Sequence, residues 1–310
     1  MKELEIISTI QKVLSSEYIG DDCAYLKDLN IVVTQDSLVE DVHFSRKFST
    51  PYQLGYKSIA VNLSDIYASG AQAKYLTVSL SLPKNIETNF VKEFYEGAKS
   101  VLNGAKIVGG DITGSDKIYI SVTAIGSTKD RKISSRKNAC NGYKIITNGY
   151  HGSSSAGLFI LQNSISGYEN LVKEHLMPSV SSKLSDAVSK TAKNDYAMMD
   201  SSDGLMDSLL KIADSSNVKA KIYFDKILYD KDIKMIENFD YKNAIFFGGE
   251  DYKLVCAISP EDLKNIDSDL YFEIGEIVEK TDNNIVEIQF NEKIKSFDKK
   301  SIENKLFNHF

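Results

Sequence analysis

The stretch TPYQLGYKSIAVNLSDIYASG, residues 50–70, predicts a long helix whose two ends are both marked in the sequence. Thr50, Pro51 and Gln53 have the pattern of an N-cap, a proline in the first turn and the glutamine of a capping box. We expect the helix to continue to Ser69 and to stop at the glycine that follows. Local sequence alone therefore specifies where this helix begins and ends.

A polar stripe runs along the same helix. Asp65 lies in its middle, where aspartate is unfavourable, and it shares a stripe with Ser58, Asn62 and Ser69. The neighbouring side chains are mostly apolar. A buried polar stripe needs hydrogen-bond partners, and a carboxylate within it would be ion-paired or would hold a metal ion. Asp65 is therefore a candidate functional residue.

The remainder of the first half predicts a sheet with helices on one face. Residues 31–34 (IVVT) have the pattern of a buried strand, and residues 76–82 and 118–124 alternate apolar with polar side chains, as strands do. Residues 91–102 place apolar side chains on one face of a second helix. This order of strands and helices is typical of a compact α+β unit.

A polar, basic segment at residues 127–142 predicts a domain boundary. We place the first domain at residues 1–135 and the second at residues 136–310. The second half again alternates strands and helices. Its predicted strands are residues 143–148, 196–200, 219–224, 252–258 and 271–278, and its predicted helices are residues 155–163 and 203–213. The sequence after about residue 282 is charged and poorly periodic, and no further strand or helix is predicted there.

Composition and charge exclude several classes of protein. The chain has 310 residues, 42% of them hydrophobic and 26% charged, which is typical of a folded globular protein. Its net charge of −6 argues against a nucleic-acid binder, and no apolar run is long enough to span a membrane. Cys23, Cys140 and Cys256 are too few for a disulfide framework. We expect a cytoplasmic protein whose partners are neither nucleic acid nor membrane.

Aspartates beside small residues form the most informative pattern in the chain. Any one of them could be a helix cap or a turn residue, but together they predict a binding site. Two follow strand-like runs, where α/β proteins collect binding groups, and another ends a strand just before a helix N-terminus that could receive phosphate. The set is Asp22, Asp36, Asp65, Asp111, Asp200 and Asp203.

Two glycine pairs strengthen this pattern. Gly109 and Gly110 precede Asp111, and a second pair precedes Glu250; we expect both pairs to bring backbone N–H groups close to an anion. No Walker, Rossmann or nucleophile-elbow motif occurs. Hard oxygen ligands without a histidine or cysteine cluster favour Mg²⁺ bound together with polyphosphate. A structural calcium protein is the alternative, and it is disfavoured because the acids are scattered along the chain.

Eight blocks of sequence, in this order, resemble the thiamine-monophosphate kinase family. They are IGDDCAYL, TQDSLVEDVHF, LGYKSIAVNLSDIYASGA, GGDITG, SSAGLFILQN, DSSDGLMDSL, GGEDYKLV and IGEI. The family belongs to the aminoimidazole ribonucleotide synthetase superfamily. The resemblance implies a two-domain fold of the α+β class, in which the N-terminal α+β sheet domain dimerises and the C-terminal domain is α/β.

The resemblance also implies an activity and a set of site residues. The activity is direct in-line transfer of a phosphoryl group from the co-substrate ATP to thiamine phosphate, by a homodimer that uses several Mg²⁺ ions. The implied metal ligands are Asp22, Thr34, Gln35 through its backbone, Asp36, Asp65, Asp111, Asp200 and Asp203, with Asp36 and Asp203 as the catalytic pair. The implied nucleotide contacts are Gly110, Asp111, Arg136 and Ser202, and the implied substrate contacts are His43, Glu250 and Phe307.

Several of these residues have simpler interpretations. His43 could end a strand, Glu250 could close a turn, Phe307 could dock the chain's tail, and Arg136 could be a solvated linker charge. Arg136 is nevertheless the best candidate for a bidentate phosphate contact, since arginine is scarce in this chain. The family usually has threonine at the position of Gln35. If the side chain and not the backbone bound the metal there, the ligand in this chain would differ from that of the family.

Two other functions stay open at this point. One is an ATP-dependent ligase like aminoimidazole ribonucleotide synthetase, which lacks the DSLVEDVHF form. The other is a nucleotide-binding regulatory module without catalysis, which would rarely need so many acids of the metal-binding type.

Overall fold

The computed structural model describes residues 3–306, and its first half forms one mixed five-stranded sheet with helices. In chain order the elements are α1 (Glu3–Leu14), β1 (Ala24–Leu26), β2 (Ile31–Val39), α2 (Pro51–Ala68), β3 (Gln72–Leu82), α3 (Thr88–Val101), β4 (Lys106–Gly114) and β5 (Tyr119–Ser127). The predicted helices and strands of this half are confirmed as α2, α3, β2, β3 and β5. Sequence patterns missed α1 and β1, and they gave no bounds for β4.

The capping box at the start of α2 is confirmed. The hydroxyl oxygen of Thr50 accepts a hydrogen bond from the backbone N–H of Gln53 (3.3 Å), and Gln53 Oε1 accepts one from the backbone N–H of Thr50 (2.9 Å). Two of the helix's otherwise unpaired N–H groups are thereby satisfied. The helix therefore begins at the residue that the sequence marked.

The first sheet has two different faces. Its strand order is β1-β2-β5-β3-β4, with β3 and β4 parallel and the other pairs antiparallel. One face carries buried apolar side chains, such as Val78 and Val122, against α2 and α3. The opposite face carries small polar side chains, among them Thr77, Ser79 and Ser121. We call this second surface the open face.

The second half forms a seven-stranded sheet with helices. Its elements are β6 (Lys144–Thr147), α4 (Ser153–Gln162), α5 (Glu169–Leu176), α6 (Lys183–Thr191), β7 (Ala197–Asp200), α7 (Leu205–Ser215), β8 (Lys219–Tyr223), α8 (Tyr241–Phe247), β9 (Leu254–Ile258), α9 (Pro260–Leu263), β10 (Phe272–Val278), β11 (Asn284–Phe290), β12 (Lys293–Asp298) and α10 (Lys299–Glu303). The strand order is β12-β11-β8-β10-β6-β9-β7. All strands and helices predicted for this half are confirmed.

Helix α2 lies between the two sheets. It contacts β2 and β5 of the first sheet and β7 and β9 of the second. Its crossing with α3 is close because glycines stand at the contact: a Cβ on Gly55 would lie 1.8 Å from the carbonyl oxygen of Phe94, and a Cβ on Gly97 would lie 1.8 Å from that of Tyr52. One hydrophobic core therefore includes side chains from both halves of the chain.

Two expectations about local structure were wrong. The segment after residue 282 forms the antiparallel pair β11 and β12, and Val286 and Ile288 of β11 are buried. The edge strand β12 is exposed and rich in charged residues, so the alternation of apolar and polar side chains was not recognised in this segment. Gly109 and Gly110, which were expected to form an anion-binding loop, lie within β4. A Cβ on Gly110 would lie 1.8 Å from the Val78 carbonyl oxygen, so strand pairing itself requires glycine there.

Within residues 3–306, no helix combines the length and the apolar composition that crossing a bilayer requires.

Candidate active site

Three carboxylates from distant parts of the sequence converge beside α2. Asp22 lies in the loop before β1, Asp65 on α2, and Asp200 at the end of β7. Their nearest oxygen atoms all lie within 4.8 Å of one another. Since α2 lies between the sheets, both halves of the chain contribute to this cluster.

The polar stripe on α2 has the partners that its burial requires. Thr34 on β2 donates a hydrogen bond from Oγ1 to Asp65 Oδ2 (2.6 Å). Asn62 Nδ2 donates to the carbonyl oxygen of Ser58 (2.9 Å), and Asn62 Oδ1 accepts from the backbone N–H of Asp36 (3.1 Å). The stripe therefore fixes the positions of Asp65 and of the β2 residues that face it.

Burial and mutual repulsion make it unfavourable for several carboxylates of the cluster to be ionised at the same time. Burial raises the pKa of Asp65 well above its ordinary value, and the neighbouring carboxylates add to the rise. Burial, followed by the charges of Asp203 and Asp22, raises the pKa of Asp36 to about 6. Burial and the charge of Asp22 raise the pKa of Asp200 to about 7. A bound cation would relieve this repulsion.

The donor set fits Mg²⁺. Both carboxylate oxygens of Asp200 are buried, and within residues 3–306 no well-aligned hydrogen bond reaches either, although Ser64 and the backbone N–H of Ser202 lie near enough to lower the pKa. Unpaired buried oxygens are costly unless an ion or a water molecule binds them. The oxygens of Asp22, Asp65 and Asp200 are hard ligands of the kind that Mg²⁺ prefers.

The loop between β7 and α7 carries Ser202 and Asp203. The carbonyl oxygen of Ser202 accepts a hydrogen bond from the backbone N–H of Glu250 (2.6 Å), which joins this loop to the GGED segment. Asp203 Oδ2 lies 3.5 Å from Lys211 Nζ, and the same Nζ lies 2.6 Å from Asp207 Oδ2. The prediction that the loop opens a helix is confirmed by α7.

Arg136 is not a solvated linker charge. Its Nη2 donates to Asp22 Oδ1 (2.6 Å) and its Nη1 to the carbonyl oxygen of Gly20 (3.1 Å). Its Nε is buried, and no described residue accepts a hydrogen bond from it. Arg136 therefore stands beside the cluster with one N–H donor still available for an anion.

Three of the predicted site residues point away from this cluster. Asp111 pairs in register with Ser79, and Gln35 pairs with Thr123, so both side chains lie on the open face. They line one cavity of about 520 Å³ together with Gly110. Asp111 lies on the opposite side of the sheet from Asp36, so within one chain it does not join the cluster of Asp22, Asp65 and Asp200.

His43 and Glu250 lie close enough for the charge of His43 to act on the Glu250 carboxylate. His43 accepts a hydrogen bond at Nδ1 from the backbone N–H of Val39 (3.1 Å). Glu250 Oε1 lies 3.0 Å from Lys57 Nζ. Burial acts to raise the pKa of Glu250, but the charges of Lys57, His175 and His43 outweigh it and hold that pKa below its ordinary value. Phe307 lies outside the described residues.

Sequence reasoning missed Lys57, His175 and Lys211. Lys57 offered a signal, because it is a lysine inside a mostly apolar stretch of a predicted helix. Lys211 follows Asp207 at a spacing of four residues, which is a common surface ion pair. Nothing in the sequence singled out His175.

Comparison with known proteins shows a similarity that extends over both halves. Residues 20–128 match the family described as AIR synthase related protein, N-terminal domain. A thiamine-monophosphate kinase of Aquifex aeolicus is 37% identical over 264 residues, covering 82% of this chain and 84% of the relative. A thiamine-monophosphate kinase of Bacillus subtilis is 32% identical over 289 residues, covering 86% of this chain and 87% of the relative.

A solved structure has the same fold. The protein described as "AaThiL complexed with AMPPCP and TMP" aligns with a TM-score of 0.86 at 31% sequence identity. The alignment covers 100% of this chain and 97% of that one. The similarity therefore extends over both sheets.

Proposed function

The chain belongs to the thiamine-monophosphate kinase family, and from that premise we propose that it transfers the γ-phosphoryl group of ATP to thiamine phosphate, giving ADP and thiamine diphosphate. The observation that carries the proposal is the cluster of Asp22, Asp65 and Asp200, whose raised pKa values mean that a bound cation would be favourable there. Both substrates are phosphate anions, and their approach requires positive charge. The related protein with AMPPCP, an ATP analogue, and TMP fits the same chemistry.

The proposed ligands of Mg²⁺ come from both halves of the chain. Bound Mg²⁺ would neutralise the phosphoryl oxygens. The proposed ligands are Asp22, Thr34, Gln35 through its backbone, Asp36, Asp65, Asp111, Asp200 and Asp203. The hydrogen bond that the backbone N–H of Asp36 donates to Asn62 Oδ1 orients the backbone of Asp36, and the one that Thr34 donates to Asp65 orients that carboxylate. These contacts fix the carboxylates before substrate arrives, which is the requirement for electrostatic catalysis.

The remaining site residues bind and align the two substrates. Arg136 offers its unpaired Nε to an ATP phosphate, and the loop at Ser202 leads into the N-terminus of α7, where backbone N–H groups favour an anion. His43 and Glu250 hold thiamine phosphate. Alignment of the acceptor oxygen with the γ-phosphorus then supplies most of the remaining rate enhancement.

We also propose that two copies of the chain form the working enzyme. Asp111 and Gly110 lie on the open face, where Tyr75 and Tyr119 are exposed. A second copy covering this surface would bury these side chains and would bring Asp111 to the nucleotide of its neighbour.

One crystal structure tests the ion count and the dimer together. With AMPPCP, Mg²⁺ and thiamine phosphate bound, we expect about three to five metal ions, because that number balances the carboxylates and phosphates. We also expect Asp111 to contact a nucleotide across a two-fold axis. A single Mg²⁺ would refute the count, and an open face exposed to solvent would refute the dimer.

The direct test of function is an incubation with ATP, Mg²⁺ and thiamine phosphate, followed by mass analysis of the products. We expect thiamine diphosphate and ADP in equal amounts, and neither when EDTA replaces Mg²⁺. Absence of thiamine diphosphate, together with turnover of formylglycinamidine ribonucleotide, would support the ligase alternative. Nucleotide binding without any turnover would support the regulatory module.

The division of the chain at residues 135 and 136 also stays a proposal. The two separate sheets support it, while the shared core around α2 shows that the halves pack as neighbours. A cytoplasmic location stays a prediction from the cysteine content.

A further inference from the structure

A buried lysine holds the carboxylate of Glu250. Lys57 lies on α2, its side chain is 4% exposed, and its Nζ lies 3.0 Å from Glu250 Oε1. The other carboxylate oxygen, Oε2, lies 3.5 Å from His175 Nδ1. The hydroxyl of Ser154 is 3.1 Å from the same Nδ1. Oε1 of Glu250 therefore has an ion-pair partner on its buried side, and Oε2 lies beside the His175 ring.

The backbone at Glu250 is also held in an unusual conformation. Glu250 has φ 64° and Tyr252 has φ 52°, in the left-handed region that non-glycine residues rarely adopt. The N–H of Glu250 donates to Ser202 O, and the carboxylate of Asp251 accepts from the N–H groups of Gly152 (2.6 Å) and Ser154 (2.9 Å). Such strain persists only where the surroundings fix it. Both the backbone and the side chain of Glu250 are therefore preorganised.

This arrangement leaves a hydrogen-bond acceptor and little net charge. Lys57 balances the negative charge of Glu250, so the pair attracts a distant cation weakly. Burial and the charge of Lys57 lower the pKa of His175 to about 4, so this ring is neutral near pH 7. An ionised carboxylate has about four lone-pair positions, and the contact with Lys57 takes one of them. Because the side chain of Glu250 is 26% exposed, the remaining positions can face a ligand.

We propose that Lys57 and His175 are positioning residues that hold Glu250 as a hydrogen-bond acceptor for the amino group of the substrate's aminopyrimidine ring. This rests on the proposed function, since it takes thiamine phosphate as the ligand. Of the three parts of that ligand, the phosphate is an anion and the thiazolium is a cation without N–H groups. Only the aminopyrimidine offers an N–H donor that matches a fixed, charge-balanced carboxylate.

The test compares Lys57→Met with wild type on two acceptors, thiamine phosphate and oxythiamine phosphate, in which oxygen replaces the amino group. For wild type we expect a KM at least tenfold higher for oxythiamine phosphate, because one hydrogen bond to a charged group is lost. In Lys57→Met, the KM for thiamine phosphate should rise about tenfold and the two acceptors should become nearly equal. The kcat and the KM for ATP should stay within about twofold.

Two controls keep the result interpretable. Lys173→Met changes an exposed lysine on nearby α5 and should leave every constant unchanged. If Lys57→Met does not fold, Glu250→Gln removes the charge while keeping the shape, and it should abolish the preference for the amino group in the same way.

Three outcomes would overturn the proposal. One is a wild-type enzyme that accepts both compounds equally, and another is a variant that raises both KM values in parallel. The third is a loss of kcat alone, which would show that Lys57 affects the transfer step. These outcomes leave the kinase assignment intact, whereas a wild-type protein that makes no thiamine diphosphate overturns both proposals at once.

Discussion

Replacing Asp36 by asparagine is expected to lower kcat by about 10² or more at saturating Mg²⁺ and substrates. Asp36 lies on β2 with its backbone N–H fixed by Asn62 Oδ1, and its pKa is raised to about 6 by burial and by the charges of Asp203 and Asp22. Asparagine keeps the shape and removes the charged ligand. The measurement is single-turnover phosphoryl transfer, which separates chemistry from product release.

The same change should not destabilise the metal-free protein. A folded-state pKa raised above the unfolded value means that ionising Asp36 costs stability as the pH rises from about 4 to about 6. Asparagine removes that cost, so the melting temperature of the metal-free variant near pH 7.5 should equal or exceed that of wild type. Asp116→Asn, at an exposed turn, should alter neither rate nor melting temperature. A variant with near-normal kcat would remove Asp36 from the catalytic ligands.

Local sequence was sufficient for the elements that organise the site. Thr50 and Gln53 specify where α2 starts, and the spacing of Ser58, Asn62 and Asp65 specifies which face of it is polar. Helical periodicity is a short-range property, so one sequence reveals it. The same holds for Asp200, because a strand followed by a helix N-terminus is encoded within a few residues.

The sequence alone could not predict that Asp36 and Asp111 lie on opposite faces of the sheet. Both follow apolar runs, and both were expected in one cluster. Which face a strand residue occupies depends on its register with its neighbours, and a shift of one residue reverses it. Asp111 pairs with Ser79 and therefore lies on the open face, while Asp36 pairs with Val122 on the face covered by α2.

The sequence alone could not predict the partners of Glu250, for a related reason. Lys57 and Glu250 are separated by almost two hundred residues, and their ion pair exists because α2 packs against the second half of the chain. A single sequence reveals charges but not which of them meet. The strained backbone at Glu250 likewise has no local signature, since glutamate rarely adopts a positive φ.

His43→Asn is expected to raise the KM for thiamine phosphate roughly 30-fold, as the loss of a hydrogen bond to a charged group does, and to leave the shape of the pH–rate profile unchanged. The structure gives the reason. His43 Nδ1 accepts a hydrogen bond from the backbone N–H of Val39, so the neutral ring carries its proton on Nε2. In that tautomer Nε2 is a donor to a phosphate oxygen and has no lone pair with which to accept a proton. Asparagine can still accept from Val39 through Oδ1 but is too short to replace Nε2.

The reaction itself needs no base, and this sets the expected profile. The proposed acceptor is a phosphate monoester with a second pKa of about 6, so at neutral pH it is already mostly the dianion that attacks. We expect kcat/KM for thiamine phosphate to rise about tenfold per pH unit below about pH 6 and to stay constant from there to about pH 8. Wild type and His43→Asn should show the same profile. An acidic limb that disappears in the variant would identify His43 as the base. Persistence of that limb would exclude His43 as its origin and leave the substrate phosphate and the carboxylates of Asp36 and Asp200, whose pKa values are raised to about 6 and about 7, as the groups that the two enzymes share.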